Sequence, residues 1–169
     1  MATLCRVSEL ASIATNSIAF SHDFVVFSLG KPTKTQRNSP LRSITVKRLP
    51  ERAIDPVDCL HSYLHATETK RSNEGRLFIG SVKPHKPVGP STLGKWIKTQ
   101  LGKAGVDTSL FSAHSTRGAA ASKAAAAGVP IDSILKLANW ASQSTFERFY
   151  RRETLVSTSI ESVILDTHI

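Results

Sequence analysis

The sequence predicts an α+β protein that is mainly α-helical and carries a small antiparallel sheet of three strands. Two segments, 23–29 (DFVVFSL) and 41–46 (LRSITV), are rich in β-branched and aromatic residues and have strand-like patterns. The basic, turn-rich stretch between them predicts a β-hairpin with a long turn. Leu77–Ile79 is expected to be the third strand. Elsewhere the apolar residues recur mostly at helical spacing.

Three helices are predicted in the first two thirds of the chain. Residues 4–14 have apolar side chains three and four positions apart. Pro56 suits the first turn of a helix that runs to about His65. Ser91 is expected to cap the next helix, in which the spacing of Trp96 favours a core position over a platform for stacking bases.

The last third is predicted to be helical as well. An alanine-rich helix is expected from Ser115 to Gly128, because alanine is the best helix former. Pro130 opens a short amphipathic helix, and Ser144–Glu147 fits a capping box that starts another turn. The tail, residues 154–169, has an apolar face suited to docking on this subunit or on a neighbour.

Length and charge restrict the class of protein. At 169 residues a single domain is expected, and a net charge of +9 favours a polyanionic partner, nucleic acid before a membrane. Cys5 and Cys59 lack metal-ligand spacing and the six histidines are dispersed, so neither a disulfide framework nor a zinc site is supported. No apolar run is long enough to span a bilayer.

The start of the chain permits two interpretations. Residues 1–17 are rich in Ser and Thr and poor in acids, which is typical of a transit peptide. Glu9 in the middle of this segment and its helical spacing favour a folded segment.

The stretch from His114 to Tyr150 has side chains that suit phosphate chemistry. Arg117 offers a planar fork of donors, and an imidazole can donate to a phosphate or move a proton near neutral pH. The phenol of Tyr150 can attack phosphorus. Taken singly, His-x-x-Arg is usually a solvated helix face, and Trp140 is usually core. The order of these residues along the chain favours a functional site.

Two motifs resemble the first and second boxes of the tyrosine recombinases, also called phage integrase-like enzymes. CRVSELASI resembles the box in which an arginine, followed three residues later by an acid, opens the active site; these are Arg6 and Glu9. FSAHSTRGAAAS resembles the box that supplies a histidine and a second arginine, here His114 and Arg117.

The third box and the catalytic lysine also have counterparts. ANWASQSTFERFY resembles the box in which Trp140 precedes the nucleophile, and Tyr150 rather than Phe149 can attack a phosphate. The family's lysine lies in the turn after the first box, where Lys34 is the first choice and Lys31 the second. The wording TKT, HSTR, GVPID and STFERFY is most similar to the Crypton and DIRS-like recombinases of eukaryotic mobile elements.

The resemblance implies transesterification at a DNA phosphodiester without metal or cofactor. Tyr150 would attack the scissile phosphate, giving a 3′-phosphotyrosyl link and a free 5′-hydroxyl. Arg6 and Arg117 would clamp the non-bridging oxygens. Lys34 would protonate the leaving 5′-oxygen.

Further roles follow from the same resemblance. His114 would hydrogen-bond the phosphate or accept the tyrosine proton, and Trp140 would donate its indole N–H to the phosphate. Glu9 would orient Arg6 or His114. The resemblance also implies that residues 1–169 are a tyrosine recombinase catalytic domain whose front is truncated and whose upstream DNA-binding domain is absent.

The implied partner is double-stranded DNA, bound by a homo-tetramer, with no membrane and no small-molecule substrate. Lys95 and Lys98, outside the apolar face of their helix, are candidate DNA contacts. Such an enzyme is expected in the nucleus of a eukaryote, or in the cytoplasm or nucleoid of a bacterium, and not to be secreted. The alternative is a non-catalytic DNA-binding remnant or domesticated copy of a recombinase.

Overall fold

The computed structural model describes residues 3–32, 41–71, 75–140 and 142–149. The strands are β1 (Ala19–Phe20), β2 (Phe24–Ser28) and β3 (Ser43–Lys47). The helices are α1 (Val7–Leu10), α2 (Pro56–Thr67), α3 (Pro90–Lys103), α4 (Ser115–Ala126), α5 (Ile131–Ala138) and α6 (Gln143–Phe149). Lys34, Tyr150 and the predicted tail at 154–169 lie outside the described residues.

The sheet is antiparallel, in the order β1-β2-β3. Val25 and Phe27 of β2 are buried and pair with Val46 and Ile44 of β3, which are buried as well. Successive side chains of a strand point to opposite faces, so both strands give alternate residues to the core. The predicted hairpin strands are confirmed.

The third strand is β1 and not Leu77–Ile79, as the sequence predicted. β1 pairs with β2, whereas Ile79 forms an isolated bridge with Pro87. Leu77 and Ile79 are buried in the core without belonging to the sheet. Their apolar side chains produced the strand-like pattern, but that pattern reports burial and does not distinguish a ladder from a packed loop.

The first helix is much shorter than the predicted 4–14. α1 ends at Leu10, after which the chain extends and Ile13 bridges Leu29. The backbone N–H of Gly30 donates to the carbonyl of Ser12 over 2.9 Å. This backbone pairing between distant segments overrides the local helical periodicity.

The helices α2 and α3 lie where they were predicted. Asp55 caps α2 by accepting two backbone N–H bonds. At α3 the N-cap is Gly89 and Pro90 is the first helical residue, so Ser91 lies inside the helix and the predicted Ser91 cap is wrong. The fixed φ of proline suits the first helical position and starts the helix earlier.

Trp96 is 38% exposed, so its predicted core position is wrong. Its side chain lines an open apolar cavity of about 550 Å³, together with Leu10, Phe78 and Leu93 among others. Helical spacing does place Trp96 with the apolar residues of α3. However, α1, which packs on α3, has only four residues and leaves part of this surface uncovered.

The helices α4 and α5 also match their predicted segments. Gly128 follows α4 with a φ of 82°, and Asn139 follows α5 with a φ of 51°. α6 begins at Gln143, so Ser144 is a helical residue and not the predicted cap.

The buried residues form two clusters. One joins the sheet to α2 and to Cys5, Ile13 and Leu77. The other joins α4, α5 and α6 to Leu4. The residues just before α1 therefore belong to both clusters, which brings the first predicted motif to the second and third. Within the described residues, none of the helices has the length and apolar character needed to cross a membrane.

Candidate active site

Three of the predicted site residues, Arg6, Arg117 and Trp140, meet at the C-terminal end of α5. The left-handed conformation of Asn139 (φ 51°, ψ 52°) terminates this helix. The last carbonyls of a helix lack partners within the helix and carry partial negative charge. Two of the predicted arginines donate to these carbonyls.

Arg117 is in the first turn of α4, and only 2% of it is exposed. Its Nε donates to the carbonyl of Leu4 over 2.6 Å, and its Nη2 donates to the carbonyl of Ala138. Its Cζ lies 4.7 Å from the centre of the Trp140 ring, which is a cation–π contact. Contacts at its edges and on its face therefore fix the plane of this guanidinium.

Arg6 precedes α1 and is paired with Glu9. The Glu9 carboxylate accepts two hydrogen bonds from Arg6, one from its backbone N–H at 2.6 Å and one from its side-chain Nη1 at 2.8 Å. The Arg-x-x-Glu spacing is therefore explained as part of a helix start. The side chain of Arg6 is 38% exposed, whereas that of Glu9 is 7% exposed. The Nη2 of Arg6 donates to the carbonyl of Asn139 at 3.5 Å, the long limit of a hydrogen bond.

Arg6 and Arg117, which are 111 positions apart in the sequence, thus bind the carbonyls of adjacent residues, Asn139 and Ala138. A single turn of backbone sets the spacing between the two guanidinium groups. This juxtaposition is what the resemblance implied.

Trp140 connects this turn to α6. It is 9% exposed, and its ring packs on Phe146 with a centroid distance of 5.7 Å and an interplanar angle of 33°. Phe146 is fully buried, so α6 is fixed against the turn. α6 ends at Phe149, and the predicted nucleophile Tyr150 is the next residue, outside the described part of the chain.

His114 occupies the N-cap position of α4, three residues before Arg117, and is exposed. The chain reaches this position through a turn in which the N–H of His114 donates to Oγ of Ser112 at 3.3 Å. The structure therefore places an imidazole at the solvent-facing start of α4, whose first turn carries the buried Arg117.

Three of the four predicted lysines lie among the described residues. Lys31 is exposed and directly follows the close approach of Gly30 to Ser12, whereas Lys34 lies outside the described residues. Lys95 and Lys98 are exposed on α3. The DNA contacts assigned to these two residues remain a prediction.

Arg42 also contacts the turn at the end of α5, although the sequence did not predict it. This residue precedes β3, and its Nη2 donates to the carbonyl of Leu137, one residue before the carbonyl that Arg117 binds. The contact joins residues 95 positions apart. No local pattern signals such a contact, and Arg42 belongs to none of the three motifs.

The site contains more positive than negative charge. Arg6, Arg42 and Arg117 lie around it, and the Glu9 carboxylate is paired with Arg6. Burial raises the pKa of the Cys5 thiol, so this group stays uncharged at neutral pH and does not offset the arginines. The arrangement favours an anion with several oxygens.

A resident metal has no recognisable site in the part of the chain that is described. Those residues include no group of three His, Cys, Asp or Glu side chains that could hold a metal ion.

Comparisons with known proteins identify the family and the fold of the chain. The model of the phage integrase family matches residues 1–155. The crystal structure of XerA recombinase has a TM-score of 0.66 and 19% identity, and the match covers 99% of this chain and 55% of that one. The second structure is the XerH site-specific recombinase bound to a palindromic difH substrate, a post-cleavage complex. It has a TM-score of 0.70 and 16% identity, and the match covers 95% of this chain and 43% of that one.

The chain spans about half the length of these two recombinases. None of the curated proteins matches its sequence. The predicted tyrosine recombinase fold, mainly helical with a small three-stranded antiparallel sheet, is confirmed. With a family match over residues 1–155 and a site in which the arginines of two separate motifs meet, the chain belongs to the phage integrase family of tyrosine recombinases.

Proposed function

We propose that this chain breaks and rejoins DNA strands in site-specific recombination or integration, through a 3′-phosphotyrosyl intermediate. The observation that carries the proposal is the convergence of Arg6 and Arg117 on one turn beside Trp140 in a member of the phage integrase family. The difH DNA in the XerH complex supports DNA as the partner.

In the first step the Oη of Tyr150 attacks the scissile phosphorus, and the bond from phosphorus to the 5′-oxygen breaks. The phenol proton goes to His114 or to solvent, and Lys34 delivers a proton to the leaving oxygen. The 5′-hydroxyl of a partner strand then attacks the phosphotyrosyl link and releases Tyr150. One phosphodiester is exchanged for another, so no energy source is consumed.

The two arginines have different parts in this scheme. Arg6 is partly exposed and meets a non-bridging phosphate oxygen directly. Arg117 is buried and already oriented, and its charge acts on the phosphorane where solvent screens little. A fixed donor that needs no reorganisation stabilises developing negative charge most effectively.

Three finer statements belong to the same proposal. The phrases TKT, HSTR, GVPID and STFERFY favour the Crypton and DIRS-like branch. The enzyme acts as a tetramer on two duplexes, which light scattering of the protein with DNA would test. It acts in the nucleus if the source is a eukaryote, and fractionation of the source cells would test this.

The proposed function is tested with duplexes that are nicked near a randomised cleavage region. After cleavage a short strand diffuses away and the covalent adduct is trapped. The chain should give adducts that survive detergent, and Tyr150→Phe should give none. A folded, DNA-binding sample that forms no adduct would contradict catalysis and leave the DNA-binding remnant as the explanation.

The other tyrosine of the chain, Tyr63, provides a matched control. Tyr63 lies on α2, where its hydroxyl accepts the N–H of Ile79 at 3.2 Å and its ring packs on Phe78. The variant Tyr63→Phe should therefore still form the adduct.

A further inference from the structure

Among the described residues, three arginines bind the C-terminal end of α5. The last carbonyls of this helix and its cap each accept one guanidinium donor. In order, Leu137 accepts Arg42, Ala138 accepts Arg117, and Asn139 accepts Arg6. A helix C-terminus favours cations, because its free carbonyls carry partial negative charge.

Arg42 connects the sheet to this turn. Its backbone carbonyl accepts the N–H of Leu29 at 2.9 Å, so its main chain is fixed at the base of the hairpin. Its guanidinium crosses to Leu137, whose own side chain is 46% exposed and adds little burial there. The hydrogen bond of Arg42 therefore connects the hairpin to the last turn of α5.

One terminal nitrogen of the Arg42 guanidinium is enclosed by the protein. Its Nη1 is buried and has no hydrogen-bond partner among the described residues. A buried donor without an acceptor is costly, and Nη1 is too enclosed to reach a ligand. Nη2, in contrast, holds the Leu137 carbonyl.

We infer that Arg42 is a positioning residue for strand cleavage, fixing the last turn of α5 so that the positive charges of Arg6 and Arg117 are held beside the non-bridging oxygens. The inference rests on the proposed function. It predicts that replacing Arg42 lowers the cleavage rate mainly when both non-bridging oxygens of the scissile phosphate are present and carry charge.

The test compares two substrates. One is the nicked duplex with an ordinary scissile phosphate, and the other has a methylphosphonate there, in which a methyl group replaces one charged oxygen. Arg42→Gln should slow cleavage of the phosphate by about 10- to 100-fold, since small displacements of a reacting group have costs of this order. The same variant should slow the methylphosphonate reaction much less, and DNA affinity should stay within about twofold of the original chain because no phosphate contact is lost.

Two further variants sharpen the test. Arg52→Gln removes an exposed arginine and should cleave both substrates at the original rate. Arg42→Lys keeps one donor for Leu137 and should recover part of the phosphate rate. If Arg42→Gln has no cooperative melting transition and is therefore not folded, the cleavage rates of Arg42→Lys on the phosphate and on the methylphosphonate decide whether the inference holds.

The results of these cleavage assays distinguish failure of the inference about Arg42 from failure of the proposed function. If Arg42→Gln slows the cleavage of both substrates equally, Arg42 has a general structural role and the inference is overturned. The inference is also overturned if Arg42→Gln cleaves the phosphate at the rate of the original chain. Failure of the unsubstituted chain to cleave either substrate would instead overturn the proposed function, and the inference with it.

Discussion

Arg117→Lys keeps the charge of the site but removes the planar fork. In the structure this guanidinium supplies donors to the carbonyls of Leu4 and Ala138 and lies against Trp140. A lysine ammonium can reach one of the two carbonyls, which leaves the other buried without a donor. A buried acceptor left unsatisfied costs about 1–3 kcal/mol in the free energy of unfolding. For a chain of this size that lowers the melting midpoint by about 2–12 °C.

The effect on the reaction should be larger than this loss of stability suggests. Removing one fixed donor from a developing oxyanion slows a reaction by about 10²–10³-fold, or roughly 3–4 kcal/mol of barrier. The assay measures the rate of adduct formation on the nicked duplex, well below the melting midpoint of the variant. The DNA dissociation constant should change little, because the net charge is unchanged.

Arg52→Lys is the matched control, since it makes the same exchange at an exposed arginine and should alter neither rate nor stability. The account of Arg117 would be refuted by an Arg117→Lys protein that is folded, binds DNA and cleaves at the original rate. A loss of rate that only follows the fraction unfolded would equally count against an oriented clamp.

Three stability predictions follow. Gly30→Ala should strongly destabilise the chain in thermal melts, because the added Cβ would lie 2.2 Å from the carbonyl oxygen of Ser12. Phe146→Ala should cost about 3–5 kcal/mol in denaturant unfolding, because a fully buried ring that supports Trp140 is removed. Asp55→Asn should lower stability at neutral pH and flatten its dependence on acid. Burial alone would raise the pKa of Asp55, but hydrogen bonds from backbone N–H groups and the charge of Arg48 lower it below its ordinary value of 3.8.

The sign for Asp55 follows from that lowered pKa. A carboxylate with a depressed pKa in the folded state contributes its stability above its ordinary pKa of 3.8 and loses that stability as the pH falls through the folded value. Unfolding at pH 7 and at pH 3 should therefore differ less in Asp55→Asn than in the original chain. An unchanged pH dependence would show that Asp55 does not titrate as described. If Gly30→Ala were as stable as the original chain, the close approach of Gly30 to Ser12 would be contradicted. If Phe146→Ala were as stable as the original chain, the packing of Phe146 would be contradicted.

Local signals in the sequence predicted most of the helices and the hairpin. Val25 and Phe27 alternate with half-buried neighbours, and Pro56 marks a helix start, so neighbouring residues carry this information. β1 has only two residues, too few for a periodic pattern. The end of α1 depends on Gly30, nearly twenty positions away, which no local window includes.

The sequence predicted candidate site residues but not the contacts that they make. The motifs identified Arg6, Arg117 and Trp140, and the structure brings these three together. Their actual partners are main-chain carbonyls, whose positions depend on the tertiary fold and not on residue type. For the same reason Arg42 could not be found from the sequence, since its importance comes from the Leu137 carbonyl.

The most direct measurement of the central claim is to map the covalent link itself. The nicked duplex is incubated with the chain, the adduct is digested with protease and nuclease, and mass spectrometry locates the nucleotide-bearing peptide. The account predicts a single modified peptide that contains Tyr150 joined to a 3′-phosphate. A link to Tyr63, to a serine or to a 5′-phosphate would contradict it.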